Sequence, residues 1–393
     1  MVCSFYKTWS KGEAISIGHK MEFRDLKKQY SILQKEIDRA MQDVSSAAAF
    51  IMGPQVRELE QQLAEYVGVK HCLSCANGTD ALTLALKAWG IGPGDAVFVP
   101  DFTFFSSAEV VSLEGATPIF VDVCEDTFNI DPEDLDLTIK QTLEEGKLAP
   151  KVIVAVDLFG LPADYARIRQ IADKYGLMIL EDGAQGFGGS CNGRRACSFG
   201  DIATTSFFPA KPLGCYGDGG SVFTDNDDWA ALIASYRVHG KGSDKYDNVR
   251  IGLNSRLDTI QAAILQVKLK AFKDYELDAV NDAAERYTTL LRDTVATPVI
   301  PEGFKSSWAQ YTIKLKDAAE RDMLQASLKA AGIPAMIYYR TPMHQQTAFA
   351  GIETRPCPTA TSLCSHVLSL PMHPYLTEKD IDTICSAIKN SLK

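Results

Sequence analysis

Short apolar runs alternate with helical stretches along the sequence, and this alternation limits the possible folds more than any other feature. The stretch from Ala163 to Tyr175 has helical periodicity. Around it, runs with the length and apolar content of buried strands cover Val97 to Pro100, Pro118 to Val123, Val152 to Leu158 and Leu177 to Asp182. Such alternation is typical of parallel strands with helices on both faces, so the sequence predicts an α/β domain with a mostly parallel mixed sheet.

The pattern changes in the last third of the chain. Helical periodicity from Leu257 to about Val295 predicts a helix or helix pair that leads out of the large domain. The remainder predicts a smaller α+β domain, with a strand at Trp308 to Leu315, a helix at Glu320 to Ala331, a strand at Ala335 to Tyr339 and a helix at Glu378 to Leu392. We expect an N-terminal extension over residues 1–20, a large domain over 21–275 and a small domain over 276–393.

Composition and charge argue against several classes of function. The formal net charge of −10 over 393 residues disfavours a nucleic-acid partner, because phosphate backbones need a basic face. No apolar window is long enough to span a membrane. Ten cysteines without framework spacing favour a reducing compartment, and we expect a cytoplasmic protein. The six histidines are dispersed, so we predict no metal site.

One lysine stands between a strand-like run and a glycine-rich turn. The run from Ile202 to Phe208 is rich in β-branched and aromatic residues, and Lys211 follows it. The glycines that come next allow the backbone to approach a ligand closely. An easily deprotonated lysine forms Schiff bases with carbonyl compounds, including that of pyridoxal phosphate (PLP). The alternative is a solvated lysine at a strand end, and other segments must decide between the two.

A helix start and a strand end supply the polar groups that PLP requires. At Asn77-Gly78-Thr79, backbone N–H groups, the helix dipole and a hydroxyl favour a phosphate, although an ordinary helix cap is the alternative. Asp182 and Gln185 follow an apolar strand, at the edge where ligands of open α/β sheets gather. Asp182 would keep a pyridine nitrogen protonated, and Gln185 would reach a ring oxygen. We interpret Glu181 as a solvated strand end or a helix cap.

Four motifs resemble those of the DegT/StrS-type sugar aminotransferases and occur in the same order. They are NGTDAL at 77–82, EDGAQ at 181–185, SFFPAK at 206–211 and GLNSRLD at 252–258. The resemblance covers nearly the whole chain from Glu22 onwards. It implies a PLP-dependent transferase of fold type I and a homodimer with shared active sites.

The resemblance also implies roles for individual residues. Lys211 would form the Schiff base, Asp182 would pair with the ring nitrogen and Gln185 would contact the ring hydroxyl. Phe104 would stack on the cofactor ring, with core packing as the alternative. The remaining positions are the phosphate contacts Gly78, Thr79 and Ser206, the phosphate contact Asn254 from the other subunit, and the substrate contacts Arg256, Tyr338 and Tyr339.

The activity implied by the resemblance is transfer of the amino group of glutamate to a 3-keto nucleotide sugar. UDP-2-acetamido-2-deoxy-3-oxo-D-glucuronate is the expected substrate, and the product would enter surface polysaccharide or O-antigen lipopolysaccharide. Tyr338-Tyr339-Arg340 replaces a His-Tyr-Pro typical of enzymes for this uronate, which leaves other 3-keto or 4-keto UDP and dTDP sugars open. Two further functions fit the same fold: a pyridoxamine-dependent dehydratase, which Lys211 disfavours, and a non-catalytic regulator that binds a nucleotide sugar.

Overall fold

The computed structural model describes residues 21–244 and 246–393, so the predicted extension at 1–20 lies outside the described residues. The helices are α1 Leu26–Ala47, α2 Pro54–Val67, α3 Gly78–Ala88, α4 Ser106–Leu113, α5 Pro132–Glu145, α6 Tyr165–Tyr175, α7 Asp227–Tyr236, α8 Thr259–Ala271, α9 Leu277–Leu291, α10 Ala318–Ala330, α11 Pro358–His366 and α12 Glu378–Ser391. The strands are β1 His71–Cys75, β2 Asp95–Pro100, β3 Thr117–Val121, β4 Ala149–Val156, β5 Met178–Asp182, β6 Ser190–Cys191, β7 Arg194–Arg195, β8 Ile202–Ser206, β9 Gly220–Thr224, β10 Phe304–Lys305, β11 Tyr311–Lys314 and β12 Val367–Leu370.

A seven-stranded mixed sheet forms the centre of the large domain, in the order β1-β9-β8-β5-β4-β2-β3. The strands from β8 to β3 are parallel, and β9 is antiparallel to both of its neighbours. Apolar clusters cover both faces of the sheet, and the central strands are therefore almost completely buried. The predicted fold class is therefore confirmed. Because β2, β4, β5 and β8 are parallel, their carboxyl ends all lie at the same edge of the sheet.

The C-terminal part has its own apolar cluster around a two-stranded antiparallel sheet of β11 and β12. Helices α9, α10 and α12 contribute to this cluster. The predicted strand at Ala335 to Tyr339 is wrong. Only Met336 bridges to the sheet, through paired backbone hydrogen bonds with Ser369 of 3.0 and 2.7 Å. The next residues instead pack against the large apolar cluster of the central sheet, which draws the chain away from β12.

The helical prediction between Leu257 and Val295 is confirmed in its type. Helix α8 continues through a π-helical turn, Phe272–Glu276, directly into α9. The division at residue 275 falls within this turn and stays a prediction. Within residues 21–244 and 246–393, no helix combines the length and the apolar character that crossing a bilayer requires.

Candidate active site

Lys211 and Asp182 lie together at the carboxyl edge of the central sheet. Asp182 is the last residue of β5, and Lys211 follows the neighbouring strand β8, which ends at Ser206 and not at the predicted Phe208. Burial and the nearby Arg24 guanidinium lower the pKa of Lys211, while the Asp182 carboxylate opposes this shift. Lys211 therefore lies near the like charge of Arg24 and the opposite charge of Asp182, in a partly buried site.

Two donors hold the Asp182 carboxylate. The Ser107 hydroxyl, in the first turn of α4, donates to Oδ2 at 2.7 Å, and the backbone N–H of Ala184 donates to Oδ1 at 3.2 Å. Burial raises the pKa of Asp182, whereas these two hydrogen bonds and the positive charge of Lys211 act in the opposite direction. The carboxylate is 4% exposed and fixed in direction, which suits a charge partner for a cationic ring nitrogen.

Gln185 is oriented by the backbone. Its Oε1 accepts a hydrogen bond of 2.7 Å from the N–H of Phe159, and its Nε2 donates to the Tyr339 hydroxyl at 3.1 Å. The amide oxygen is therefore engaged on the protein side, and the amide nitrogen is the group directed towards Tyr339. This is the polarity required to donate a hydrogen bond to a ring oxygen.

Gly78 and Ser206, two of the residues predicted to bind a phosphate, lie in direct contact. A Cβ on Gly78 would lie 2.7 Å from the Ser206 Cβ, so only glycine allows α3 to begin this close to the end of β8. Asn77 caps the helix by accepting from the Asp80 N–H at 2.8 Å. Among the described residues, the N–H groups of Gly78 and Thr79 have no protein acceptor. Free donors at a helix start beside a serine fit a phosphate.

Aromatic side chains line the same edge. Phe104 is 54% exposed, which contradicts the alternative of core packing, and its ring centroid lies 6.4 Å from that of Tyr339. Tyr339 also contacts Phe102 edge to face. The Tyr338 ring lies edge to face against two others, that of Tyr339 at 5.8 Å and that of Phe23 in the N-terminal segment at 6.2 Å. Phe104 is thus free to stack on a flat ligand, whereas Tyr338 is occupied with the N-terminal segment.

Arg340 does not join this group. Its guanidinium donates to Gln325 Oε1 at 3.2 Å and lies 3.9 Å from Asp322, both on α10. The cation that distinguishes Tyr338-Tyr339-Arg340 is therefore paired on the surface of the small domain.

Asn254 and Arg256 pair with each other. Arg256 donates to the Asn254 Oδ1 atom, and both side chains stand in a loop before α8. Ser255 between them accepts from the N–H of Ala76 at 3.1 Å, which anchors the loop beside the start of α3. Within the part of the chain that the structure describes, neither side chain contacts Lys211. The role predicted for Asn254, from a second subunit, and that predicted for Arg256, as a substrate contact, remain predictions.

A buried cluster ties the segment after Tyr339 to the sheet. The Asp101 carboxylate follows β2 and accepts from the His344 backbone N–H at 2.8 Å, and its Oδ2 lies 2.6 Å from the imidazole Nδ1. The Cys357 thiol completes a group of ligand-type atoms within 4.8 Å of one another. Because Asp101 and His344 already pair with each other, the observed contact is a link between the segment and the sheet edge. The prediction of no metal site stays a prediction.

Sequence reasoning missed three features of the site. It overlooked Ser107, although this hydroxyl stands only three residues after Phe104. It assigned no role to Arg24, whose guanidinium binds the backbone of Lys211. It also placed Glu181 in solvent, whereas this carboxylate is fully buried and accepts three backbone N–H groups. The β-strand alternation from Asp182 was the available signal, because Glu181 had to face the opposite side of the sheet.

Comparison with known proteins gives the class. The sequence matches the DegT/DnrJ/EryC1/StrS aminotransferase family over residues 31–389. UDP-2-acetamido-2-deoxy-3-oxo-D-glucuronate aminotransferase of Pseudomonas aeruginosa is 44% identical over 370 residues, which are 94% of this chain and 100% of that protein. UDP-N-acetyl-3-dehydro-alpha-D-glucosamine 3-aminotransferase of Acidithiobacillus ferrooxidans is 42% identical and covers 94% of this chain and 97% of its own. A pleiotropic regulatory protein of Geobacillus stearothermophilus is also 42% identical, over 90% of this chain and 94% of that protein.

Solved structures agree with the sequence relatives. An aminotransferase of this family from Brucella abortus superposes with a TM-score of 0.92 at 49% identity, covering 95% of this chain and 99% of the other. The PLP form of a putative sugar aminotransferase from Streptococcus pneumoniae superposes with a TM-score of 0.84 at 25% identity, covering 91% and 96%. Fold and site together define a PLP-dependent aminotransferase. The chain belongs to the DegT/DnrJ/EryC1/StrS family of these enzymes.

Proposed function

We propose that this enzyme transfers the amino group of glutamate to the 3-keto group of a UDP-linked 2-acetamido sugar. The substrate we favour is UDP-2-acetamido-2-deoxy-3-oxo-D-glucuronate, which would give UDP-2-acetamido-3-amino-2,3-dideoxy-D-glucuronate. The observation that carries this choice is the 44% identity along the full length of a relative named for that substrate. A second relative named for a UDP-linked 3-keto sugar supports the position of the amino group.

The site residues fit PLP, and each has a defined task in this reaction. Lys211 would hold the cofactor covalently, and Gly78, Thr79 and Ser206 would bind its phosphate. Asp182 would keep the ring nitrogen protonated by charge pairing. When it is bound, PLP supplies a ring that stabilises negative charge on the carbon that loses its proton.

Lys211 is also the group we assign to proton transfer. Its lowered pKa leaves more of the amine neutral near physiological pH than an ordinary lysine would be. In the first half-reaction its Nζ would take the proton from the α-carbon of glutamate, and in the second it would return a proton to the sugar carbon. Gln185, with its Nε2 directed into the site, would orient the cofactor ring.

A substrate screen tests the proposal. UDP- and dTDP-linked 3-keto and 4-keto sugars are offered with glutamate, and the products are identified by mass. We expect amination of the UDP-linked 3-keto uronate, and no product in the Lys211→Ala variant. Turnover only with a dTDP-linked or 4-keto sugar would contradict the substrate assignment while leaving the aminotransferase class intact.

The identity to a pleiotropic regulatory protein supports a second candidate, a regulator that binds a nucleotide sugar without turnover. The intact group of Lys211, Asp182 and Gln185 favours the enzyme. Absorbance separates the two. The PLP-loaded enzyme should lose its visible band on addition of glutamate alone, whereas a regulator would keep it.

We also propose a cytoplasmic homodimer with shared active sites, whose product enters surface polysaccharide or lipopolysaccharide O-antigen. Exposed apolar side chains surround the loop of Asn254, including Ile251, which is 91% exposed, and Val249. If Asn254 acts across the interface, mixing inactive Lys211→Ala and Asn254→Ala proteins should restore activity, because each mixed dimer has one intact site. Mixtures that stay inactive despite subunit exchange would refute the shared site.

A further inference from the structure

The segment Met21–Asp25 connects the small domain to the loop that carries Lys211. The carbonyl of Phe23 accepts from the N–H of Met372 at 3.1 Å, directly after β12, and the Phe23 ring contacts Tyr338. Met21 packs against the apolar cluster of the small domain. The Asp25 side chain then caps α1, so both ends of the segment are fixed.

Arg24 in this segment binds the backbone of the lysine itself. Its Nη2 donates to the carbonyl of Lys211 at 2.7 Å and to that of Pro212 at 3.2 Å. Burial lowers the pKa of Arg24 to about 10, against the charge of Glu276. Glu276, 3% exposed, accepts in turn from Gln29 at 2.9 Å and from the hydroxyl of Tyr375. A guanidinium that is partly removed from water is costly unless it is paired, and a neighbouring cation such as Lys211 adds to this cost.

We propose that Arg24 is a positioning residue for Lys211: it fixes the backbone from which the lysine projects and holds a second positive charge beside it. This inference rests on the proposed role of Lys211 and deepens it. A carbonyl clamp sets the position of the Lys211 Cα, whereas Asp182 and Ser107 set only the position of the partner carboxylate. The small domain, through Met372 and Tyr338, holds the clamp in place.

The charged groups around Arg24 and Lys211 determine in which direction the pKa of Lys211 should change when Arg24 is replaced. Lys211 faces Asp182 from the end of β5 and Arg24 from the N-terminal segment, and the two act on its pKa in opposite directions. Glu276 and Tyr375 act on Arg24 and raise its pKa. Burial, with a smaller contribution from the Arg24 charge, lowers the pKa of Lys268 to about 8 and that of His373 to about 4. Loss of the Arg24 charge should therefore raise the pKa of Lys211.

The test measures the lysine directly in the cofactor-free protein. Trace labelling with acetic anhydride across a range of pH, read by mass spectrometry of the peptide that contains Lys211, follows the neutral amine. At pH 8 we expect Arg24→Gln to label about three-fold more slowly than wild type, because loss of the neighbouring positive charge raises the pKa of Lys211. Arg24→Lys keeps the charge and should label like wild type, but hydrogen exchange of the backbone at residues 209–216 should become faster.

Arg321→Gln is the matched control, because Arg321, which is 5% exposed, likewise donates to a backbone carbonyl, that of Cys364, at 2.8 Å in the small domain. It should change neither the labelling of Lys211 nor exchange at 209–216. A folded Arg24→Gln protein that labels like wild type would overturn the proposal. If that variant does not fold, unchanged exchange in Arg24→Lys overturns it instead. The labelling requires neither PLP nor sugar. Its outcome is therefore independent of the substrate screen, and failure of one proposal can be told from failure of the other.

Discussion

The two faces of the carboxyl end of β5 carry neighbouring carboxylates in opposite environments. Glu181 and Asp182 project to opposite sides because side chains alternate along a strand. On one face, Glu181 accepts from the backbone N–H groups of Cys197, Phe199 and Gly200, the last two at 2.7 and 2.9 Å. On the other, Asp182 accepts from one hydroxyl and one N–H and faces Lys211. The first carboxylate is satisfied by the fold, and the second keeps capacity for a ligand.

Asp157 lies on the same face of the sheet as Glu181 and interacts with it. Its Oδ1 accepts from the Ala163 N–H at 3.1 Å and from the Tyr165 hydroxyl at 2.8 Å, whereas its buried Oδ2 has no partner if both acids are ionised. Burial and the charge of Glu181 raise the pKa of Asp157 well above its ordinary value. Three N–H donors favour the charged form of Glu181, so we assign the proton of this pair to Asp157. Glu181 and Asp157 thus belong to the packed face of the sheet, whereas Asp182 lies on the face that carries the candidate site.

The strongest test of this division is Asp182→Asn. The amide can still accept from Ala184, and the Ser107 hydroxyl can accept from its nitrogen, so the fold should remain while the charge is lost. We expect turnover to fall by about 10²- to 10³-fold, the effect typical of one preorganised electrostatic group. Steady-state kinetics measures the loss, with thermal unfolding as the control for the fold. Turnover within about two-fold of wild type would contradict the assigned role, since that is less than about 1 kcal/mol.

Glu181→Gln should have the opposite effect to Asp182→Asn: it should reduce stability and leave turnover nearly unchanged. The amide nitrogen must face at least one of the three backbone N–H donors, which leaves a buried group without an acceptor. We expect a loss of about 2–4 kcal/mol in the free energy of unfolding, measured with urea, and near-normal turnover per folded molecule. Glu144→Gln, on an exposed side chain, is the matched control. A stable but inactive Glu181→Gln protein would place Glu181 in the chemistry and break the comparison.

The Asp157–Glu181 pair should also make stability depend on pH. Burial raises the pKa of Glu181 from 4.5 to about 7 and raises that of Asp157 as well, so the folded state binds a proton more tightly than the unfolded state. Because the proton of the pair lies on Asp157, this contribution is complete below the ordinary pKa of an aspartate and is lost as pH rises through the raised pKa of the folded state. In Asp157→Asn, the amide nitrogen replaces the proton donor and Oδ1 keeps its two donors, so stability should vary less with pH.

Urea unfolding of wild type and Asp157→Asn at pH 5, 6, 7 and 8 measures this difference. Other groups titrate in both proteins, so the difference between the two curves isolates the pair. We expect it to favour the variant increasingly towards pH 8, by an amount on the order of 2 kcal/mol. Parallel curves would show that the two acids do not share a proton.

The sequence predicted the sheet and the position of Lys211 and Asp182 well, because both depend on local patterns. Buried parallel strands produce continuous apolar runs, and polar residues that follow such runs meet at one edge. Glu181 shows where this reasoning ends. Its burial depends on three N–H groups from residues 197–200, which a fold, and not a spacing, brings to the strand. Ala335 to Tyr339 failed for the same reason, since packing against the central sheet overrides a strand-like composition.

Ser107→Ala gives the smallest predicted effect and the finest test of the comparison. Removing this hydroxyl takes one donor from Asp182, and because the Ser107 hydrogen bond lowers the pKa of that acid, the pKa should rise. We expect turnover to fall about five- to ten-fold, consistent with a hydrogen bond worth about 1 kcal/mol, and the acidic limb of the pH profile of kcat/KM to move to higher pH. Ser107→Thr should restore both, whereas Thr103→Val, which removes only the 3.2 Å neighbour of Ser107, should shift neither. An unmoved acidic limb in Ser107→Ala would mean that this hydroxyl packs beside Asp182 without tuning it, and that the Ala184 N–H and Lys211 set the charge of Asp182.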